Sequence, residues 1–285
     1  MYNRTENSYY DAHFAPFKSG GPGDVEMLGA GLTGDDLAAV PEHWLSFPAP
    51  PASAHTALAL LYIFFTAAAL VGNGLVIFIF STTKSLRTSS NLLILQLAIL
   101  DFIMMAKAPI FIYNSAMRGF ASGAIGCQIF ALMGAYSGIG AGMTNACIAY
   151  DRHSTITRPL DGRLSRGKVL LMMAFVWIYS TPWALLPLFK IWGRYVPASW
   201  TPYGVMALIG AFGNQQLLTP GVTMIPAVAC KAVACIDPWV YAISHPKYRQ
   251  ELQRRMPWLQ IQEPDDTVST GTNNTVTNAP AAAPA

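Results

Sequence analysis

The chain has 285 residues, 53% of them hydrophobic and only 12% charged, with a formal net charge of +3. A composition this apolar belongs to membrane proteins, and a charge so small and dispersed gives no footing for nucleic acid. The sequence holds no zinc-ligand spacing, no Gly-rich phosphate loop and no Ser/His/Asp arrangement, so it points to neither a metal centre nor an enzyme.

Residues 1–55 are polar, rich in Pro and Gly, and lack the short apolar core of a cleavable signal peptide. Asn3-Arg4-Thr5 within them is a glycosylation sequon on Asn3. Four apolar spans follow: Thr56 to Phe80, Leu92 to Tyr113, Cys127 to Tyr150, and Val169 to Phe189. Each has the roughly 20 residues that a bilayer-crossing helix needs. Ser199 to Phe212 is too short to cross and contains Pro202, so it reads as half a helix or a re-entrant piece. Pro220 to Ala242 is the last span. Residues 243–262 are amphipathic and basic and are expected to lie along a membrane surface. The tail 263–285, rich in Thr, Asn, Pro and Ala, is expected to be disordered. The expected fold is therefore all-α, a multi-pass membrane helix bundle at 56–242 with five full spans plus one short helical segment.

Basic residues set the orientation. Lys84, Arg87, the group from Arg152 to Lys168, and the group from Lys247 to Arg255 fall on one side, against Arg4, Lys18, Arg118, Lys190 and Arg194 on the other. The positive-inside rule puts the richer side, with the C-terminus, in the cytoplasm and the N-terminus outside. A second sequon at Asn273 then faces the cytoplasm and should be unused.

Polar groups inside hydrocarbon are expensive and so tend to be functional. Lys231 lies near the middle of the last span, roughly 16 Å from either end at 1.5 Å per residue. Its stem is too short to bring the ammonium to water from there. Two readings stand: pairing with a carboxylate, or an amine kept uncharged by burial and thus nucleophilic toward a carbonyl. Lys107 is a second intramembrane amine, but only about 10 Å from the outer end of its span, where snorkelling is an alternative. Asn73, Asp101 and Asp237 suggest a shared polar network between helices, while Asp151-Arg152-His153 closes the third span. Of the four cysteines, Cys147, Cys230 and Cys235 sit in apolar runs as small hydrophobes, whereas Cys127 begins its run.

Taken together, these residues resemble a rhodopsin-like G-protein-coupled receptor, and specifically an insect visual opsin of the ultraviolet-sensitive group. The resemblance rests on Gly72-Asn73, on the Leu97-to-Asp101 spacing, on Asp151-Arg152-His153 in place of the family's DRY, on Trp177, and on Trp200-Thr201-Pro202-Tyr203. Asp237-Pro238-Trp239-Val240-Tyr241 stands in place of NPxxY, with Lys231 six residues before it. The runs PEHWL, SLRTSSN, PIFIYNS, TPYG, LIGAFG, LLTPGVTMIPA and AISHPKYR extend it over nearly the whole chain.

The resemblance implies retinal, as 11-cis-retinal or 3-hydroxyretinal, held by Lys231 as a Schiff base. It implies that Gly134, Ala135, Gly138, Trp200, Tyr203 and Ala227 line its pocket, and that Lys107 tunes absorption toward the ultraviolet. By the same resemblance Asp151 and Arg152 belong to G-protein coupling, and Asn73, Asp101, Asp237 and Tyr241 to a polar network. The implied partners are the lipid membrane of a photoreceptor cell, a Gq-type heterotrimeric G protein, arrestin and a receptor kinase, with tail sites such as Thr267 and Ser269 for the kinase. The resemblance also implies a loss. The fourth span leads through Pro197 straight to Trp200, where the family has a second extracellular loop, a fifth helix, a third cytoplasmic loop and the inner half of a sixth helix. The disulfide partner of Cys127 and the family's loop counterion would lie in that lost part. The chain then reads either as a light receptor or as a non-signalling splice product or incomplete gene model, which pairs with other opsin chains or is degraded.

Overall fold

The computed structural model describes residues 27–29, 42–119, 121–158, 161–189, 191 and 219–259. Asn3, Trp200, Tyr203, the short piece 199–212 and the tail 263–285 lie outside the described residues, as do the side chains of Ala227, Cys230 and Tyr241. The elements are α1 (Glu42–Leu45), α2 (Ala52–Thr82), α3 (Ser89–Ala106), α4 (Ala108–Ala116), α5 (Gly123–Thr157), α6 (Arg166–Leu188), α7 (Pro220–Ser244) and α8 (Pro246–Arg255). No strand occurs among the described residues, only an isolated bridge between Met27 and Pro48.

Four stretches are long and apolar enough to cross a membrane: Ala52–Thr82, Ser89–Ala116, Ile125–Thr157 and Arg166–Leu188. α7 adds a helix of 25 residues with Lys231 near its centre. The helices begin where short polar side chains can accept from orphan backbone donors. Thr88 accepts from Asn91 N at 3.4 Å to start α3, and Ser165 accepts from Lys168 N at 3.4 Å to start α6.

The second span departs from the continuous helix expected over 92–113. It breaks at Lys107, which ends α3 and precedes α4. Pro109 is the cause, because it has no N–H for the carbonyl of Met105. That carbonyl takes the N–H of Lys107 instead.

The α3–α4 stretch is 61% buried over its most apolar window, against 33% or less for the other three. It therefore stands at the centre, with α2, α5, α6 and α7 around it. On α2 the exposed Leu60, Phe64, Val71 and Phe78 recur at helical spacing, as do Leu171, Phe175 and Ile178 on α6. Apolar stripes of this size on a bundle surface are lipid-facing.

α8 occupies Pro246–Arg255 of the amphipathic segment expected at 243–262, and a single turn at Pro257–Leu259 follows it. It buries Tyr248 and Leu252 against Val76, Ile79 and Phe80 of α2, and Ile94 and Ala98 of α3. His245 is the joint. Its Nδ1 accepts from Tyr248 N at 3.3 Å, its Nε2 lies 3.2 Å from Asn91 Nδ2, and its ring meets Phe80 edge-on at 6.0 Å. Burial holds this imidazole below its usual 6.5, and the cations Arg152, Lys247 and Arg249 press the same way.

Only a neutral imidazole can accept the Tyr248 N–H. The detached chain binds its proton near 6.5 while the docked one resists, so docking is complete above that pH and weakens as pH falls through the window below it. Amide exchange of α8, corrected for its intrinsic pH dependence, should show constant protection above 6.5 and falling protection below it. Protection unchanged down to about pH 5 would show that His245 is not the joint.

Candidate functional site

Lys231 projects from α7 and is only 4% exposed. Its Nζ stands 5.9 Å from the ring centre of Tyr62 on α2. Tyr62 in turn stacks on Phe111 of α4 at 4.1 Å and 28°, so the ring facing the amine is held by two elements. Lys107 lies nearby, and the two amines are within electrostatic reach of one another. Lys107 does not snorkel: it is 3% exposed, with Nζ 4.4 Å from the ring centre of Phe130 on α5.

Gly134 makes room for it, since a β-carbon there would overlap the Lys107 amine. The inward course coincides with the helix break, for Lys107 is the residue between α3 and α4. Of the other small residues on α5, Ala135 is half-buried, and a β-carbon at Gly138 would meet nothing within 4 Å. The pair Gly134 and Gly138 thus splits into one position filled by a lysine and one left open.

The polar network forms around a proline. Pro238 has no N–H to offer the carbonyl of Ala234 one turn earlier, which would leave that acceptor orphaned in hydrocarbon. Asn73 supplies the missing donor: its Nδ2 reaches Ala234 O at 2.9 Å and Ala69 O at 3.1 Å, and the residue is fully buried. Gly72 lets the two helices close to this distance, for a β-carbon there would come within 2.9 Å of the Pro238 ring.

One layer away, Asp101 of α3 and Asp237 of α7 meet through their carboxyl groups. Cys235 donates from Sγ to Phe65 O at 3.2 Å, and Gln96 Nε2 donates to Thr144 Oγ1 at 2.9 Å between α3 and α5. Asn73, Asp101 and Asp237 therefore gather at the α2–α3–α7 junction.

Asp151 and Arg152 lie within the last turns of α5, which runs on to Thr157 rather than closing at Tyr150. Asp151 is 3% exposed and its Oδ1 has no hydrogen-bond partner among the described residues, while Arg152 is exposed. Cys127 is buried near the start of α5 as a thiol, as is Cys235 on α7.

Sequence reasoning passed over Tyr62, Phe111 and Phe130. Their signal was weak, because an aromatic residue in a span is ordinarily packing. It passed over the Gly72–Pro238 contact as well, although a proline six residues before Ser244 at the end of α7 already announces an orphan carbonyl.

The site's chemistry is that of an amine deep in a membrane bundle, faced by an aromatic ring and neighboured by a second amine. The sequence profile of the "7 transmembrane receptor (rhodopsin family)" matches residues 72–199. Opsin-2 of Manduca sexta is 65% identical over 379 aligned positions that span 100% of both chains. The ultraviolet-sensitive opsin of Apis mellifera is 44% identical, with 97% of this chain and 99% of that one covered. In fold, the chain is similar to the crystal structure of squid rhodopsin, with a TM-score of 0.69 at 23% identity over 80% of this chain and 93% of that one. A multi-pass helical chain with these relatives is a receptor and not an enzyme: it belongs to the insect visual opsins of the rhodopsin-like G-protein-coupled receptor family.

Proposed function

We propose that this chain is an ultraviolet-type opsin polypeptide that holds retinal through Lys231. The observation that carries the reading is the burial of Lys231 in mid-α7, where it is met by the Tyr62 ring. A charged ammonium there costs at least about 2.5 kcal/mol, which favours use of the uncharged amine as a nucleophile. Retinal, when bound, would supply the light-absorbing polyene and an aldehyde with which Lys231 Nζ could condense to an imine, the aldehyde oxygen and two protons from the amine leaving as water. The residues present suit it: a buried amine, aromatic faces, and open space at Gly138. Trp200, Tyr203, Ala227 and Ala135 complete the proposed lining. Lys107, when protonated, would put a positive charge near the link and so favour its unprotonated, short-wavelength form. In this reading the chromophore is 11-cis-retinal or its 3-hydroxy form.

The proposed setting is a photoreceptor cell membrane with the N-terminus outside, Asn3 glycosylated, and the C-terminus in the cytoplasm. Asp151 and Arg152 face a Gq-type G protein there, and the tail meets a receptor kinase and arrestin. Specific observations favour a second reading, in which the chain is an internally deleted product that does not signal. The alignment with Opsin-2 runs over 379 positions whereas this chain has 285 residues, and the family profile stops at Ser199, beside the junction of Pro197 with Trp200.

Incubation with retinal, borohydride reduction and peptide mapping tests the first reading. An adduct on Lys231 that disappears in Lys231→Ala is the expected result, and an adduct on Lys107, or none, refutes it. Light-dependent nucleotide exchange on a G protein refutes the second.

A further inference from the structure

Two primary amines stand near one another inside the bundle, and the proposed retinal link uses only one of them. Lys107 is 3% and Lys231 4% exposed, and each is within electrostatic reach of the other. Lys107 forms no ion pair among the described residues, and its Nζ stands over the Phe130 ring. The single carboxyl groups of α3 and α7, Asp101 and Asp237, meet each other instead. Two ammonium groups repel strongly in a medium that screens so little, and the arrangement favours a state in which one amine is the free base.

A free amine has a lone pair to give. A lysine in water is an ammonium at neutral pH and has none. What the Lys107 amine can take is set by α5. The bare backbone of Gly134 lies against it, for a β-carbon there would overlap Nζ, and this side is closed to a bulky electrophile. Gly138 lies one turn along the same face, where a β-carbon would meet nothing within 4 Å. The clearance is small and lies to one side. A small, linear, uncharged electrophile that dissolves in hydrocarbon suits it, and carbon dioxide meets each of these conditions. Its addition product is an anion, which a second amine close by can balance.

We propose that Lys107 is a carbon dioxide site, where its amine forms a carbamate that the Lys231 nitrogen balances as a cation. Nζ of Lys107 attacks the carbon, and as the N–C bond forms one C=O electron pair moves onto oxygen. The Lys107 nitrogen then gives up one proton, which the Lys231 nitrogen takes. The products are a carbamate and a cation, with no leaving group and no change of oxidation state. Two amines that repel when both are charged thereby become an ion pair. In the retinal-free chain this step needs only the two lysines, so it can hold or fail independently of the retinal reading. One consequence rests on that reading: with retinal in place the link nitrogen takes the proton, and the carbamate then favours the protonated, longer-wavelength link.

The full retinal-free chain in detergent is equilibrated with isotopically labelled carbon dioxide at constant neutral pH. Triethyloxonium then fixes any carbamate as its ethyl ester, and peptide mass spectrometry locates it. Label on Lys107 is expected, at least about tenfold above that on the exposed Lys84, Lys168 and Lys247. Those three lysines are controls within the same sample, so the comparison needs no variant. Lys231→Ala should lower the label on Lys107 by about tenfold or more, as loss of a charge partner does in a buried site. No label, equal label on the exposed lysines, or label on Lys231 instead overturns the proposal. Label on Lys107 that survives Lys231→Ala overturns the part given to Lys231. In the retinal-loaded chain, carbon dioxide at constant pH should move part of the near-ultraviolet band into the visible, and nitrogen should restore it. A loaded chain that labels Lys107 and keeps its band overturns the action on the link, whereas a chain without a retinal adduct on Lys231 refutes the retinal reading alone.

Discussion

Replacing Lys107 with glutamate is expected to move the absorption of the retinal-loaded chain from the near ultraviolet into the visible. The lysine is 3% exposed and aimed inward, with its amine on Phe130 and over the bare backbone of Gly134. Any charge at this position therefore acts on Lys231 through protein and lipid rather than through water, where it would be screened. A cation in that position disfavours a second positive charge on the retinal link. A carboxylate favours it, and an opposite charge in such a site changes a protonation equilibrium by about tenfold to a thousandfold. Glutamate is shorter than lysine, so the pocket that Gly134 leaves can accept it. Lys107→Gln separates charge from shape: it removes the repulsion without supplying an attraction, and should give a mixture of the two bands. Dark absorption spectra after reconstitution with retinal decide the matter. A Lys107→Glu chain that binds retinal covalently and keeps the near-ultraviolet band would show that Lys107 does not act on the link.

Much of this arrangement was written in the sequence. Spans of apolar residues and a single lysine at mid-depth place Lys231 within α7, and each span end is displaced by seven residues or fewer. The residual error has a physical pattern. Hydropathy marks where hydrocarbon begins, whereas helices run on into the headgroup layer, so α2 begins at Ala52 and α5 continues to Thr157. The break at Lys107 was legible in principle, because Ala108-Pro109 disfavours a continuing helix. Only the fold shows that the amine at the break lies inward, on Phe130, which is why an estimate from depth alone left snorkelling open. The aromatic face on Lys231 could not be read at all. Tyr62 and Lys231 are distant in sequence, and their meeting depends on how closely α2 approaches α7.

That approach is where the largest effect on stability is expected. Gly72→Val should prevent the described bundle from closing, because its β-carbon alone would come within 2.9 Å of the rigid Pro238 ring and two further methyl groups must also be housed. Neither a proline ring nor a helix backbone yields as a flexible side chain does, so α2 and α7 must separate, at a cost of about 3 kcal/mol or more. Asn73→Ala should cost about 1–3 kcal/mol by a different route, leaving the Ala234 carbonyl, already denied an N–H by Pro238, without its donor.

The two effects share one interface and should not add. Once Gly72→Val has moved α7 away, Asn73 can no longer reach Ala234, so removing its amide costs little more. Thermal unfolding in detergent, followed by a thiol-reactive dye on the buried Cys235, gives the four corners of this cycle without retinal. The double variant should melt close to Gly72→Val alone, well above the temperature that the sum of the single losses would give. Strict additivity would mean that the asparagine amide and the glycine act on separate contacts, and that closure of α2 on α7 is not what presents the Tyr62 ring to Lys231.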